Sequence, residues 1–128
     1  MYVAITKGVK VSVEVYYQDA YSKPRQLEFA FAYHVVIENQ TDFAIQLLSR
    51  EWHIFDSDGK NTQVKGDGVV GKQPTIAPGQ SYNYMSGCML NSELGRMYGT
   101  YTILNLNKHK KFQVNIPAFE LVVPNKLN

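Results

Sequence analysis

Residues Gly66-Asp67-Gly68-Val69-Val70-Gly71 have the spacing G-x-G-x-x-G. Between a strand and a helix, that spacing holds a pyrophosphate. The glycines let the backbone close on the phosphates, and the helix N-terminus offers free N–H groups. Here the segment runs into Lys72-Gln73-Pro74-Thr75-Ile76-Ala77-Pro78-Gly79. Two prolines so close together forbid a regular helix, so dinucleotide chemistry is not expected. Two readings of the glycines remain. One is a tight, bulged loop between strands, with glycine supplying φ > 0. The other is a nest of backbone N–H groups around an anion, with Lys65 and Lys72 adding charge and Asp67 opposing it.

The remaining reactive side chains are sparse. His34, His53 and His109 show no HxxxH, HxH or Cys-His spacing, so no zinc or cobalt motif is present. His34 and His53 fall on successive predicted strands and are expected as neighbours across them. Glu51 lies two residues from His53, on the same strand face. Two histidines and a carboxylate are one reading of that set, and solvent-facing or hydrogen-bonded histidines are the other. Cys88, in Ser86-Gly87-Cys88-Met89, has neither a base nor a helix N-terminus to make thiolate. A small, partly buried side chain is expected there. Ser49, Ser81 and Ser86 sit in no nucleophile elbow. No catalytic constellation emerges, so the expectation is a protein that is not an enzyme, with no cofactor and no metal site.

The elements that must position these residues read as strands. Val9, Val11, Val13, Val15 and Tyr17 alternate with Lys10, Ser12, Glu14 and Tyr16, the period of two of a half-buried strand. Leu27, Phe29, Phe31, Tyr33, Val35 and Ile37 repeat it, and Asn39 to Asp42 supply turn residues. Ala44 to Phe55 forms a third run, closed by Asp56-Ser57-Asp58-Gly59. Further strands are expected over 61–65, 81–86, 98–106 and 112–122, the last interrupted by Pro117. Asn107 to Lys110 reads as a hairpin tip, and 91–97 as at most one short helical turn. Trp52 is placed in the core. Tyr82, Tyr84, Tyr98 and Tyr101 suit buried rings with bonded hydroxyls or a recognition surface. About seven strands with a turn every ten or so residues describe an all-β, immunoglobulin-like antiparallel β-sandwich, one domain over 1–128. Only Asn125 to Asn128 read as a polar tail.

Bulk properties narrow the partners. The 128 residues are 45% hydrophobic and 19% charged, with a formal net charge of +2. Such balance does not single out nucleic acid or acidic lipid. The basic tip Lys108-His109-Lys110-Lys111 is read as a solvated turn, because nucleic-acid binding needs a larger patch with interleaved aromatics. A single cysteine allows no internal disulfide and fits a reducing cytoplasm. No signal-peptide core is visible, and the longest apolar stretch, Phe29 to Ile37, is too short for a membrane helix. Asn39-Gln40-Thr41 matches a glycosylation sequon and is read as turn chemistry.

Gly66 to Leu90, GDGVVGKQPTIAPGQSYNYMSGCML, resembles the signature of the ApaG family. The resemblance extends through Gly95-Arg96-Met97-Tyr98-Gly99-Thr100-Tyr101, Gln46 to Trp52, Asp56 with Gly59, Phe112, Ile116 to Phe119 and Pro124. It implies a fibronectin-type-III-like β-sandwich. It also implies a link to cobalt tolerance and magnesium efflux, with protein binding as the role of related domains and no established catalysis. One departure stands out. The family pattern commonly places His after the arginine that precedes the tryptophan, where this chain has Glu51, and a histidine appears instead at His53. The expected function is a non-catalytic cytoplasmic binding module, acting on a protein partner through loops at one end of the sandwich. The alternative is an accessory or sensor protein in divalent-cation homeostasis, binding a metal or a phosphorylated small molecule at the glycine loop. Lys65, Gly66, Gly68, Gly71 and Lys72 are the candidate binding residues in either case.

Overall fold

A computed structural model describes residues 1–124, so the polar tail expected over Asn125 to Asn128 lies outside the described residues. Among the described residues nine strands follow one another: β1 (Tyr2–Thr6), β2 (Val9–Tyr17), β3 (Phe29–Asn39), β4 (Ile45–Asp56), β5 (Asn61–Asp67), β6 (Thr75–Ile76), β7 (Ser81–Leu90), β8 (Leu94–Asn105) and β9 (Lys110–Val122). Among the described residues the only helical pieces are single 3-10 turns at Asp19–Tyr21 and Pro24–Gln26, and no helix is long and apolar enough to cross a membrane. One sheet has the order β1-β2-β3-β7. The other has the order β5-β4-β8-β9, with β6 also paired to β4. Every pairing is antiparallel, and the two sheets form a fibronectin-type-III-like sandwich.

Period-two alternation explains the core. Val9, Val11 and Val13 of β2 are wholly buried, as are Val35 and Ile37 of β3. They face Leu47, Trp52, Tyr101, Ile103, Val114 and Phe119 of the second sheet in one cluster. Trp52 meets Phe119 edge-on at 5.8 Å and Tyr33 at 5.5 Å between ring centroids. The tryptophan is therefore a core residue, as its strand position predicts.

The structure adds two strands to the seven read from the sequence. β1 joins β2 through the two-residue turn Lys7-Gly8, both at positive φ. The two-residue β6 pairs Ile45 and Gln46 of β4. The segment considered for a helical turn, 91–97, instead bends at Asn91 to Glu93 and enters β8 at Leu94. Pro117 does not end β9. Its strand bulges, so that Pro117 and Ala118 fall between the pairs Met97–Phe119 and Gly99–Ile116, opposite Tyr98. A bulge on an edge strand tolerates the missing N–H of proline.

Two buried polar residues fasten the sandwich ends. Asn39 is fully buried; its Nδ2 donates to the carbonyls of Phe43 (2.8 Å) and Ile76 (3.0 Å), and its Oδ1 accepts from the Thr41 N–H (2.9 Å) and hydroxyl (2.6 Å). The apparent sequon is thus turn chemistry, with its amide fully engaged. At the other end, Asp56 accepts from the Asn91 N–H at 2.6 Å and from the Ser92 hydroxyl. Burial by itself would raise the Asp56 carboxyl. The hydrogen bonds from Ser92, Asn91 and Asp58 and the nearby Lys60 charge outweigh it and hold the carboxyl below its ordinary value.

Candidate functional site

The glycine-rich segment is half strand and half turn. Gly66 and Asp67 close β5, where the sequence reading has a loop. Gly68 then turns the chain, its N–H donating to the Leu48 carbonyl at 2.7 Å. Val69 and Lys72 exchange both backbone hydrogen bonds, at 2.8 and 3.0 Å. That leaves Val70 and Gly71 as a two-residue turn with φ of +47° and +78°, the signature of a type I′ hairpin turn.

Each of the first two glycines has a distinct cause. Gly68 has φ +59°, and a Cβ there would lie 2.0 Å from the Lys72 carbonyl oxygen. Gly66 has no positive φ; it is bare because Arg50, its partner across β4 and β5, crosses it. A Cβ at Gly66 would stand 2.8 Å from Arg50 Nη1. That nitrogen donates to the carbonyls of Asp67 (3.0 Å) and Gly68 (2.8 Å). The N–H groups of Gly68, Val69 and Lys72 already serve carbonyls. The loop therefore turns carbonyl oxygens toward an internal cation, the polarity opposite to that of an anion nest.

Val70 is the unusual residue. It is 60% exposed and sits in the left-handed region, where a Cβ costs roughly 1–2 kcal/mol and β-branching makes it a true outlier. Its neighbour Val69 is wholly buried, so the turn is nailed to the core on one side and presents an apolar tip on the other.

Beside the turn lies the outer face of the five-stranded sheet. There the Glu51 carboxylate meets His53 Nε2 at 2.9 Å, accepts from Gln63 Nε2 at 3.0 Å and lies 3.9 Å from Lys65 Nζ. The His53 ring stacks on Tyr98, with centroids 4.9 Å apart and planes within 11°. Two shallow clefts share Glu51 and Thr100. One, of about 660 Å³, includes His53, Arg96, Tyr98 and Pro117. The other, of about 390 Å³, includes Arg50, Lys65, Gly66 and Asp67. Of the five candidate residues, Lys65 and Gly66 line the second cleft, whereas Gly68, Gly71 and exposed Lys72 belong to the turn beyond it.

One expected association does not form. β3 and β4 belong to opposite sheets, so His34 and His53 are not cross-strand neighbours. His34 Nε2 is 3.1 Å from Asn83 Oδ1, and His109 occupies the β8–β9 turn at φ +54°. Among the described residues no three His, Cys, Asp or Glu side chains gather as a metal ion requires. Cys88 is half-buried, with its sulfur 3.7 Å from Met97 Sδ. Burial, with the Asp56 charge adding to it, pushes its thiol up to about 12, so it stays protonated at neutral pH.

Three site residues escaped the sequence reading. Arg50 carries no local signal, because its partners lie 17 and 18 positions away. Val70 was hidden because a β-branched residue is the least expected one at a I′ turn. Tyr98 has no sequence mark that separates it from Tyr82, Tyr84 and Tyr101. The spacing of Glu51 and His53 did disclose their shared face.

The sequence and the fold both match known proteins. The sequence model of the family described as "ApaG domain" matches residues 19–105. A relative from Mesorhizobium japonicum named Protein ApaG is 44% identical over 124 residues, spanning 97% of this chain and 95% of its own. A crystal structure of a Bordetella pertussis protein assigned as ApaA superposes with a TM-score of 0.88 at 40% identity, covering 92% of this chain and 95% of that one. An X-ray structure of a structural-genomics target gives a TM-score of 0.87 at 34% identity, covering 98% and 94%.

Proposed function

The chain belongs to the ApaG domain family, and on that premise we propose that it is a non-catalytic cytoplasmic binding module whose protein partner docks on one end of the sandwich. The observation that carries this reading is Val70, an exposed β-branched residue in the left-handed region at the tip of a turn. Strain of that kind persists only where the surroundings over-determine it, and it concentrates at binding sites. Here buried Val69, the Arg50 clamp and the Lys72 carbonyl supply the determination. A tip held this firmly loses little entropy when it docks.

Neighbouring turns share the same end. The Lys7-Gly8 turn bonds Gln40, the Asn39 carbonyl accepts from Gly79, and Leu106 donates to Ala44. Lys7, Lys108 and Lys110 lie in or beside the β1–β2 and β8–β9 turns and Asp42 in the β3–β4 turn, while Lys72 and Asp67 flank the Val70 turn. That charge suits an acidic protein surface, and a phosphorylated small molecule is the second partner class it fits.

The test uses the intact tagged chain in its native cell. Val70→Gly relieves the backbone while removing the apolar tip, so melting should be retained and capture of the partner lost. If Val70→Gly and Lys72→Ala both recover every partner at wild-type yield, the end-loop reading fails.

A further inference from the structure

Sheet edges with unpaired backbone groups invite another chain, and folded proteins shield them with charge, proline, brevity or cover. Three of the four strands that end a sheet order here are shielded. β1 has five residues. It lies against β9, with the Asn115 N–H donating to Thr6 Oγ1 (3.1 Å) and the Glu120 N–H to the Tyr2 hydroxyl (3.4 Å). β9 itself carries Lys110, Lys111, Pro117 and Glu120. β5 carries Lys65 and Asp67. β7 is different. Its ten residues, Ser81-Tyr82-Asn83-Tyr84-Met85-Ser86-Gly87-Cys88-Met89-Leu90, contain no charge and no proline, and among the described residues its only strand neighbour is β3.

The alternation of antiparallel pairing tells which groups are free. The Asn39 N–H donates to the Gln80 carbonyl at 2.9 Å, and the β3–β7 register continues from that pair. Every second residue of β7 therefore bonds β3, namely Tyr82, Tyr84, Ser86, Cys88 and Leu90. The N–H and C=O groups of Asn83, Met85, Gly87 and Met89 point the other way, to the open edge. Their side chains lie on the outer face, where Met85 and Met89 are each 51% exposed.

We propose that β7 is a self-association edge, on which a second copy of this chain adds its own β7 antiparallel to make a continuous eight-stranded sheet. A two-fold interface requires a self-complementary patch, and an uncharged strand meets itself without like-charge repulsion. A two-fold axis at Ser86 sets Met85 opposite the second copy's Gly87 and Asn83 opposite its Met89. Each of these pairs joins residues whose free groups face the edge. Gly87 is the recess that Met85 needs. It is exposed and bare, and its outer-face neighbours across the sheet are Ala32 and then Tyr16. The exposed Met85 of one copy covers that backbone in the other, and the symmetry repeats the contact. An edge pairing of this size without a large apolar core is a weak, concentration-dependent dimer. It lies on a different strand from the turn that carries Val70, so it stands or falls separately from the end-loop reading.

The experiment is sedimentation of the intact chain from micromolar to millimolar concentration, paired with amide hydrogen exchange across the same range. The expected result is a monomer–dimer equilibrium, with exchange at Asn83, Met85, Gly87 and Met89 slowing as dimer fills. Met85→Lys should weaken dimerisation by about ten-fold or more, about 1.4 kcal/mol, at an unchanged melting temperature. Met85→Pro removes an edge N–H that β3 does not use and should abolish the dimer; Met85→Lys keeps the test valid if the proline variant does not fold. A monomer throughout the range overturns the proposal. So does a dimer whose four edge amides exchange as in the monomer, or edge protection that appears only when a foreign protein is added.

Discussion

The hydroxyls of Tyr84 on β7 and Tyr101 on β8 hydrogen-bond to each other inside the core, tying one sheet to the other. Tyr101 is fully buried and Tyr84 nearly so. Tyr101→Phe should leave the Tyr84 hydroxyl without its partner and cost about 1–3 kcal/mol, whereas changing both to Phe should cost less than the sum of the single changes. Urea unfolding of the four proteins measures that coupling, and additive costs would mean the bond contributes nothing of its own.

The same pair makes an alkaline prediction. Burial, only partly offset at Tyr84 by the bond to Tyr101, raises both phenols above their ordinary value of 10.0. A raised folded value gives stability that is fully present below the unfolded pKa and lost as pH rises through the folded one. Stability should therefore start to fall only above about pH 10, and the Phe–Phe protein should fall less steeply. Thermal melts from neutral to strongly alkaline pH test this.

Asp56 makes the acid prediction, with the opposite sign. Its folded carboxyl lies below the ordinary value of 3.8, so its contribution is present above that value and lost as pH falls through the lowered folded one. Asp56→Asn should be less stable at neutral pH by about 1.5–3 kcal/mol, the range for hydrogen bonds to a charged group. It should also show a flatter decline on acidification. An acid profile parallel to wild type would remove Asp56 from the account.

The Arg50 clamp predicts a graded series. Gly68→Ala should be the costliest single change in the turn, at least about 2 kcal/mol, because strain at φ +59° adds to the collision with the Lys72 carbonyl. Gly66→Ala should cost about 1 kcal/mol, since the guanidinium it meets can shift. Arg50→Ala should cost about 1.5–3 kcal/mol by freeing two carbonyls. In an Arg50→Ala background, Gly66→Ala should become nearly neutral; a persistent cost would show that Gly66 answers to something other than Arg50.

At the tip of the same turn the expected sign reverses. Val70→Gly should leave stability unchanged or raise it by up to about 1 kcal/mol, because relief of left-handed strain offsets the added chain entropy. Lys72→Ala should lie within about 0.5 kcal/mol of wild type, as exposed changes do. A Val70→Gly protein that is markedly less stable would show that the valine is retained for packing and not for contact.

The residues by themselves determined the all-β class and seven of the strands. Val9 to Tyr17 and Phe29 to Ile37 alternate so regularly that their residues alone mark β2 and β3 and the faces they bury, whereas Leu27, read with β3, lies before it, exposed and left-handed at φ +55°. Pro74 and Pro78 likewise ruled out a helix after the glycines, because the loss of an N–H and the ring clash are local effects. Tertiary structure alone decided which strands meet. β3 and β4 follow each other in the chain yet lie in opposite sheets, which separates His34 from His53. Periodicity shows which face of a strand is apolar and not which strand lies beside it; that choice is settled by packing across the whole core. The short β6 has too few residues to show a period. The cause of Gly66 is a guanidinium brought from the neighbouring strand, and a bare position in β5 cannot reveal what crosses it.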